Sequence, residues 1–394
     1  MSLHTDSANA RAKVCHIIHH DGPGGGPVIV ANHLALMANY FDLSAIHGSA
    51  GRVAQACEKL GIPHWELPID RAAALPVSFF TLVTTLRHIA PDVVILHGQW
   101  AGPVGALAAR LAGIARMIYI CHWPSFYSDW DIPRVIRNRI CEAIPCRLSA
   151  RVVTNSRGNW YQYLIRRLAP LEKLRIIHNG ISPANLPAPS RKAEIRQQHQ
   201  WDESSCHVVS VGRLADQKCV DWLLKSWRIV ISQNRKAKLW IVGDGPDLQH
   251  LKQLASDLKI KDSCFFLGAQ PSGIDYIAAA DIVAMTTIYE GHANVPLEAM
   301  ACGKPLVAND VDGVNDSFRD GVEGFLVPPG DVELFAKRLL KLIEDGSLRK
   351  QMGESGKLRS KEFLLSKIVA QYCALIDEVL AEKVNFSHNP IPSA

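Results

Sequence analysis

Residues 281–310 read DIVAMTTIYEGHANVPLEAMACGKPLVAND. An apolar, partly β-branched run at 281–287 is followed by an irregular loop, a helical stretch opening near Pro296, and a second apolar run at 305–309. Proline suits a first helical position, and a helix between two short buried strands is the parallel βαβ unit. The same rhythm extends outward on both sides. Upstream and downstream lie HVVSVGR (207–213), KLWIVGDG (238–245), CFFLGA (264–269) and GFLVPP (324–329). In the first half stand VCHIIHH (14–20), DLSAIHG (42–48), HWELPI (64–69), DVVILHG (92–98), RMIYICH (116–122), RVVTNS (151–156) and LRIIHNG (174–180), with helical stretches such as 27–39 and 101–112 between them. Alternating strand and helix signals of this kind predict α/β architecture with two doubly wound parallel sheets.

Length agrees with two cores. A chain of 394 residues exceeds the size at which one core stops growing. Hydrophobic residues at 48% and charged residues at 21% exclude a disordered or collagen-like chain. No run approaches a membrane-spanning length, and MSLHTDSANARAK at 1–13 carries no signal-peptide core, so a cytoplasmic chain is expected, peripheral at most to the membrane face. The ten cysteines form no C-x-x-C pair and read as reduced, small apolar residues. Residues 1–180 hold 18 basic and 11 acidic side chains, whereas the remainder holds 25 and 27. The positive surface therefore lies on the first half, pointing to an anionic membrane or acceptor as partner and not to nucleic acid. SPANLPAPS at 182–190, with three prolines, is expected to be the linker and hinge. The expected domains are 1–183, 184–360, and a closing segment 361–394 whose helix crosses back to the first domain and ends in a tail.

Two glycine turns invite a dehydrogenase reading. DGPGGGP at 21–27 follows the first strand, where glycine admits a close ligand and the next helix offers free amides to phosphate. A dinucleotide fingerprint fails there because Pro27 takes the third glycine's place, and it fails at 243–248 because Leu248 does. The second turn reads best as plain turn punctuation.

The chemistry gathers in the second half. Glu290 and Glu298 stand eight apart across the loop that enters a helix, and paired carboxylates hold vicinal hydroxyls while helix-start amides hold phosphate. Arg213 and Lys218 follow the strand at 207–213, where two cations can neutralise a diphosphate leaving group. Taken singly, each of these four reads equally well as a surface charge. Two D-x-D triplets, at 129–131 and 310–312, lack the further ligands a metal needs.

The order VGRLADQK, IVGDGPDLQHL, FFLGAQP, EGHANVPLEAMACGKPLVA and GVEGFLVPPGD resembles family 4 of the retaining glycosyltransferases, and the glycine loop, ILHGQWAG, ICHWPSF, VVTNS and IIHNGI fit its first half. The likeness runs from about 13 to 380. It implies the GT-B fold, with two Rossmann-like domains facing across a cleft, the acceptor on the first and the nucleotide sugar on the second. It further implies transfer of a sugar from a nucleotide-diphosphate sugar, a uridine diphosphate sugar being expected, to a saccharide or lipid-linked acceptor in envelope polysaccharide, lipopolysaccharide or glycolipid synthesis. No metal or other cofactor is expected. By resemblance Arg213 and Lys218 clamp the diphosphate, Glu298 holds the ribose, and Glu290 holds the transferred sugar with the amides near Asn294 and Val295 beside it. Gly25 and Gly26 fit the loop over the diphosphate, and His122 fits the histidine near the reacting sugar. Trp123, Phe126, Tyr127 and Trp130 fit an acceptor site, by stacking or by meeting lipid, and read equally well as core packing. Arg134, Arg137, Arg139, Arg147 and Arg151 are candidates for an anionic surface. Departures are His292-Ala293 where many relatives have Phe-Gly or Leu-Pro, Asp316 in place of a glutamate, and Pro27 after the glycines. The competing readings are an epimerase or phosphorylase on the same fold, or a non-catalytic sugar-nucleotide-binding protein.

Overall fold

The computed structural model describes residues 11–21, 25–69, 75–122 and 132–382. The described residues divide into two compact units: those up to 155 with 160–177 and 369–382, and residues 156–159 with 178–368. The first unit runs β1 (Lys13–Ile18), α1 (Gly25–Met37), β2 (Asp42–His47), α2 (Arg52–Leu60), β3 (His64–Glu66), α3 (Leu75–Ile89), β4 (Val93–His97), α4 (Gly98–Leu111), β5 (Met117–Cys121), α5 (Ile132–Leu148), β6 (Arg151–Thr154), α6 (Arg157–Ile165) and β7 (Leu174–Ile176). Its sheet has the order β3-β2-β1-β4-β5-β6-β7, every pairing parallel.

The second unit continues with α7 (Pro189–Gln198), β8 (His207–Val211), α8 (Val220–Gln233), β9 (Lys238–Val242), α9 (Leu248–Asp257), β10 (Cys264–Gly268), α10 (Gly273–Ala279), β11 (Ile282–Met285), α11 (Asn294–Ala301), β12 (Leu306–Asn309), β13 (Gly324–Val327), α12 (Val332–Glu344) and α13 (Gly346–Ser360). Its sheet, ordered β10-β9-β8-β11-β12-β13, is likewise parallel. Consecutive strand residues enter opposite cores. Val208, Leu239, Ile241, Ile282 and Val307 pack on one face, while Val209, Trp240, Val242, Val283 and Leu306 pack on the other. Burial on both faces explains why these strands read as unbroken apolar runs. In each sheet the strand order reverses beside the first strand, between β1 and β4 and between β8 and β11, and open α/β sheets bind ligands at such switch points.

The last helix, α14 (Leu365–Ala381), begins in the second unit and continues into the first. There Tyr372, Ile376 and Val379 are buried. Arg151, at the start of β6, pairs with Glu378 at 2.7 Å and with Glu382, and Arg175 pairs with Glu378 at 2.8 Å. All ten cysteines are unbridged.

Three expectations need correction. The chain leaves the first unit after Ile177, not within 182–190. Two of the three prolines of that stretch open helical turns instead of breaking them: Pro183 starts a 3-10 turn and Pro189 is the first residue of α7, while Pro187 lies in the irregular chain between them. Helix α11 starts at Asn294, so Pro296 is its third residue, where a missing N–H is equally harmless. Arg151 is tied into α14 and is no part of a free basic surface.

Candidate active site

The loop leaving β8 is shaped by backbone-to-backbone contact. The amide of Gly212 donates to the carbonyl of Val242 at 3.0 Å, and that of Leu214 to Asp244 at 2.9 Å. A Cβ on Gly243, whose φ is +149°, would lie 1.8 Å from the Gly212 oxygen, and one on Gly245 would lie 2.1 Å from the Leu214 oxygen. The second glycine turn is thus required by packing, and it fixes the course of residues 212–214. Leu214 is buried as the anchor. Arg213 beside it is exposed, and no described residue forms an ion pair with it.

Residues 216–218 form one 3-10 turn that is stitched to the loop after β11. Thr286 Oγ1 donates to the Lys218 carbonyl at 2.9 Å, the Ile288 amide to the Gln217 carbonyl at 3.1 Å, and Gln217 Nε2 to the Tyr289 carbonyl at 2.8 Å. The outcome is a close ion pair between Lys218 Nζ and Glu290 Oε1, with Thr287 Oγ1 3.1 Å from the same oxygen. From below, Gly313 supports the Glu290 loop. Its φ is +79°, its carbonyl accepts from the Ala293 amide at 2.8 Å, and a Cβ there would lie 2.5 Å from the Glu290 carbonyl oxygen.

Helix α11 starts directly after this loop. First-turn amides have no intrahelical acceptor, so those of Asn294 and Val295 are offered at the positive end of the helix. Asn179 Nδ2 holds the Asn294 side chain at 3.1 Å. Glu298 lies one turn further in. Burial pushes its carboxyl up to about 7, and no described residue donates a hydrogen bond to it. A desolvated carboxyl without a partner is suited to hydroxyl donors from a ligand.

Two of the departures, His292 and Asp316, are tied into the structure of the second unit. His292 is buried, accepts from the Asn179 amide at 3.3 Å on Nδ1, and passes its own carbonyl to Asn179 Nδ2 at 2.7 Å. Burial lowers it to about 3, so it is a neutral brace behind the loop and does not line a sugar pocket. Asp316 accepts from the Arg157 amide at 2.5 Å and lies 3.5 Å from His178 Nε2. Asp310 of the second D-x-D accepts from Asn315 at 2.9 Å, and the first triplet lies outside the described residues.

In the first unit, Asp21 is spent on structure: its carboxylate accepts the amides of Val53 and Ala54 at 2.7 and 3.0 Å and caps α2. Gly25 opens α1, and a Cβ on Gly26 would lie 3.9 Å from His122 Cδ2, an ordinary contact. Glycine there answers to no described neighbour. Gly26 and His122 are thus brought together. Trp123, Phe126, Tyr127 and Trp130 lie outside the described residues. A chain of histidines behind His122 is not apparent from sequence reasoning, although the signal is present: VCHIIHH, ILHG and ICH each put a histidine within or at the carboxyl end of a strand. His16 Nδ1 lies 3.0 Å from His97 Nε2, and His97 Nδ1 lies 3.1 Å from His122 Nε2.

Two doubly wound parallel-sheet units are the architecture of the GT-B glycosyltransferases, and the second unit here carries at its strand ends a lysine–glutamate pair, an arginine with no ion-pair partner among the described residues, and a helix amino terminus. The family model for glycosyl transferases group 1 matches residues 191–359, and that for glycosyltransferase family 4 matches residues 47–185. The chain is 33% identical over 307 residues to the lipopolysaccharide core biosynthesis glycosyltransferase LpsE of Rhizobium meliloti, covering 74% of this chain and 81% of that protein. It is 30% identical to the N-acetyl-α-D-glucosaminyl L-malate synthase of Bacillus anthracis over 193 residues, about half the length of each (49% and 50%). The crystal structure of Anabaena HepE in complex with UDP and glucose superposes with a TM-score of 0.82 at 22% identity, over 93% of this chain and 100% of that one. This chain belongs to glycosyltransferase family 4.

Proposed function

We propose that this glycosyltransferase moves a sugar from a nucleoside diphosphate sugar to a saccharide or lipid-linked acceptor, with retention of anomeric configuration, in the making of an envelope polysaccharide, lipopolysaccharide or glycolipid. The observation that carries the reading is the Lys218–Glu290 pair beside an unengaged Arg213. Lys218 and Arg213 clamp the diphosphate, and the amides of Asn294 and Val295 add the positive end of α11 to the same charge. Glu290 accepts from hydroxyls of the transferred sugar, and Glu298 from those of the ribose. Gly25 and Gly26 let the first unit's loop approach the phosphates, and His122 meets the sugar. A uridine base is part of this reading, supported by the likeness in fold to a protein crystallised with UDP and glucose.

In the reaction the bond from the anomeric carbon to the diphosphate breaks, and the acceptor oxygen bonds to that carbon on the face just vacated. The acceptor's proton passes to the departing phosphate oxygen. No protein nucleophile is used, and the fixed cations stabilise the charge that a metal carries elsewhere. The acceptor binds the first unit. Exposed Ile136 and Ile140 on α5, with Arg139, Arg147, Arg166 and Arg167 around them, support docking on an anionic membrane. Among the described residues no helix is long and apolar enough to cross a membrane.

Nucleoside diphosphates and their sugars, tested by thermal shift, decide the reading. A ligand at 100 times its dissociation constant stabilises by about 2.7 kcal/mol. Failure of every nucleoside diphosphate to shift the melting point would overturn it. Glu290→Gln and Lys218→Ala should abolish transfer while melting like the parent, and transfer should survive a chelator.

A further inference from the structure

We propose that His16 and His97 position His122, fixing its ring and making its outer nitrogen Nδ1 a hydrogen-bond donor to a hydroxyl or ether oxygen of the sugar. This rests on the reading of His122 as the residue that meets the sugar. The three rings come from β1, the end of β4 and the residue after β5, adjacent strands in one parallel sheet. They lie nearly parallel, with centroids 5.2 and 5.3 Å apart and interplanar angles of 14° and 9°. Both links have the same sense, Nδ1 of one ring to Nε2 of the next, at 3.0 and 3.1 Å. A neutral imidazole has one donor and one acceptor nitrogen, so one tautomeric choice propagates along the whole chain.

Burial keeps the rings neutral near pH 7. It lowers His16 and His122 to about 4 and holds His97 and the neighbouring His33 well below their ordinary value. Among the described residues no carboxylate acts on any of the four, unlike the orienting acid of a catalytic triad. Two neutral arrangements remain. If every Nδ1 carries its hydrogen, the bare nitrogen is Nε2 of His16 and the free N–H is Nδ1 of His122. If every Nε2 carries it, the free N–H is that of His16, which is fully buried and has no partner. An orphaned N–H sealed in a core costs about 1–3 kcal/mol. His122 Nδ1 is buried and unpartnered as well, but His122 is the one partly exposed ring of the three, so a small relaxation lets an arriving oxygen satisfy the N–H there and not at His16. The first arrangement is therefore favoured, and His122 Nδ1, buried and unpartnered in the free protein, is the end of the chain nearest the surface and the one a ligand can reach. His33 closes the cluster from α1, its ring 6.3 Å from His97 and 4.5 Å from Tyr372.

The test uses the full-length protein labelled with 15N-histidine. Long-range 1H–15N correlation should find His16, His97 and His122 all as Nδ1–H tautomers. An Nε2–H or doubly protonated His122 at pH 7 overturns the proposal. His97→Leu should lower kcat about 10- to 100-fold, the scale of loss when the hydrogen-bond partner behind a metal-bound histidine is removed, with donor KM and the nucleotide-induced melting shift unchanged. His97→Asn, whose amide N–H stands near the lost Nδ1–H, should recover part of the rate. Full activity in His97→Leu, or no advantage for Asn over Leu, also overturns it. Should His97→Leu not fold, the spectrum and the Asn variant decide. If the parent protein neither binds a nucleoside diphosphate nor transfers, the transferase reading fails, while the tautomer spectrum still decides the chain.

Discussion

Glu298→Gln separates the cost of the donor site from its use. Burial raises this carboxyl from 4.5 to about 7. Between those values the folded protein keeps a proton that the unfolded chain has released, so stability falls as pH rises through the window and the loss is complete above about 7. At 1.36 kcal/mol per decade the full cost is about 3 kcal/mol. Glutamine is neutral throughout and nearly the same shape. The variant should therefore melt like the parent near pH 4.5, pull ahead through the window, and stay ahead above pH 7. At about 2–4 °C per kcal/mol for a unit of this size, the lead reaches roughly 6–12 °C. Differential scanning of both proteins at half-unit pH steps reads this directly. Curves that run parallel from pH 5 to 8 refute the desolvation argument. Ribose hydroxyls donating to Glu298 favour its ionised form, so nucleoside diphosphate affinity of the parent should rise between pH 6 and 8, and that rise should vanish in Glu298→Gln.

Gly313→Ala puts a Cβ 2.5 Å from the Glu290 carbonyl oxygen at a φ of +79°, so the loop must move by several tenths of an ångström. Transfer kcat/KM should fall about 100-fold, the scale of a 1 Å misplacement, and a kinetic comparison showing parental turnover would remove Gly313 from the support of the site. Glu142 accepts from buried Tyr119 OH at 2.5 Å and from Tyr163 OH. Glu142→Leu should cost about 2–6 kcal/mol in urea unfolding by stranding two hydroxyls, clearly more than Glu142→Gln, and equal losses would refute the shared-acceptor account. The Arg151–Glu378 coupling in a double-mutant cycle should stay below about 1 kcal/mol and shrink with salt, because the Glu378 side chain is 40% exposed.

Every strand of both sheets was legible, because parallel strands buried on two faces leave apolar runs that survive without any knowledge of their neighbours. Arg213, Lys218, Glu290 and Glu298 were legible as types at strand ends and a helix start. Their pairing was not: Lys218 and Glu290 are 72 positions apart, and the bonds from Thr286 and Gln217 that join them appear only once β8 and β11 are adjacent. His292 looked like a change at the ligand because it interrupts a familiar loop, yet Asn179 draws it into the interior. The proline-rich stretch misled through composition, since proline that forbids a helix interior also favours a helix start. The second glycine turn is legible as structural, but its reason, a carbonyl oxygen 1.8 Å from a would-be Cβ, needs the facing loop.

Helix α14 also sets an order of events during synthesis. The first unit draws its closing helix from residues 369 onward, after about 190 residues of the second unit have been made. At roughly 5–20 residues per second, that is a wait of about 10–40 s. Through that interval Arg151 and Arg175 lack Glu378, and the surface destined to cover Tyr372, Ile376 and Val379 is open to water. The nascent first half is then the aggregation-prone species, and a ribosome stalled before residue 369 presents to chaperones a sheet that is complete in its strands but uncovered along one helix.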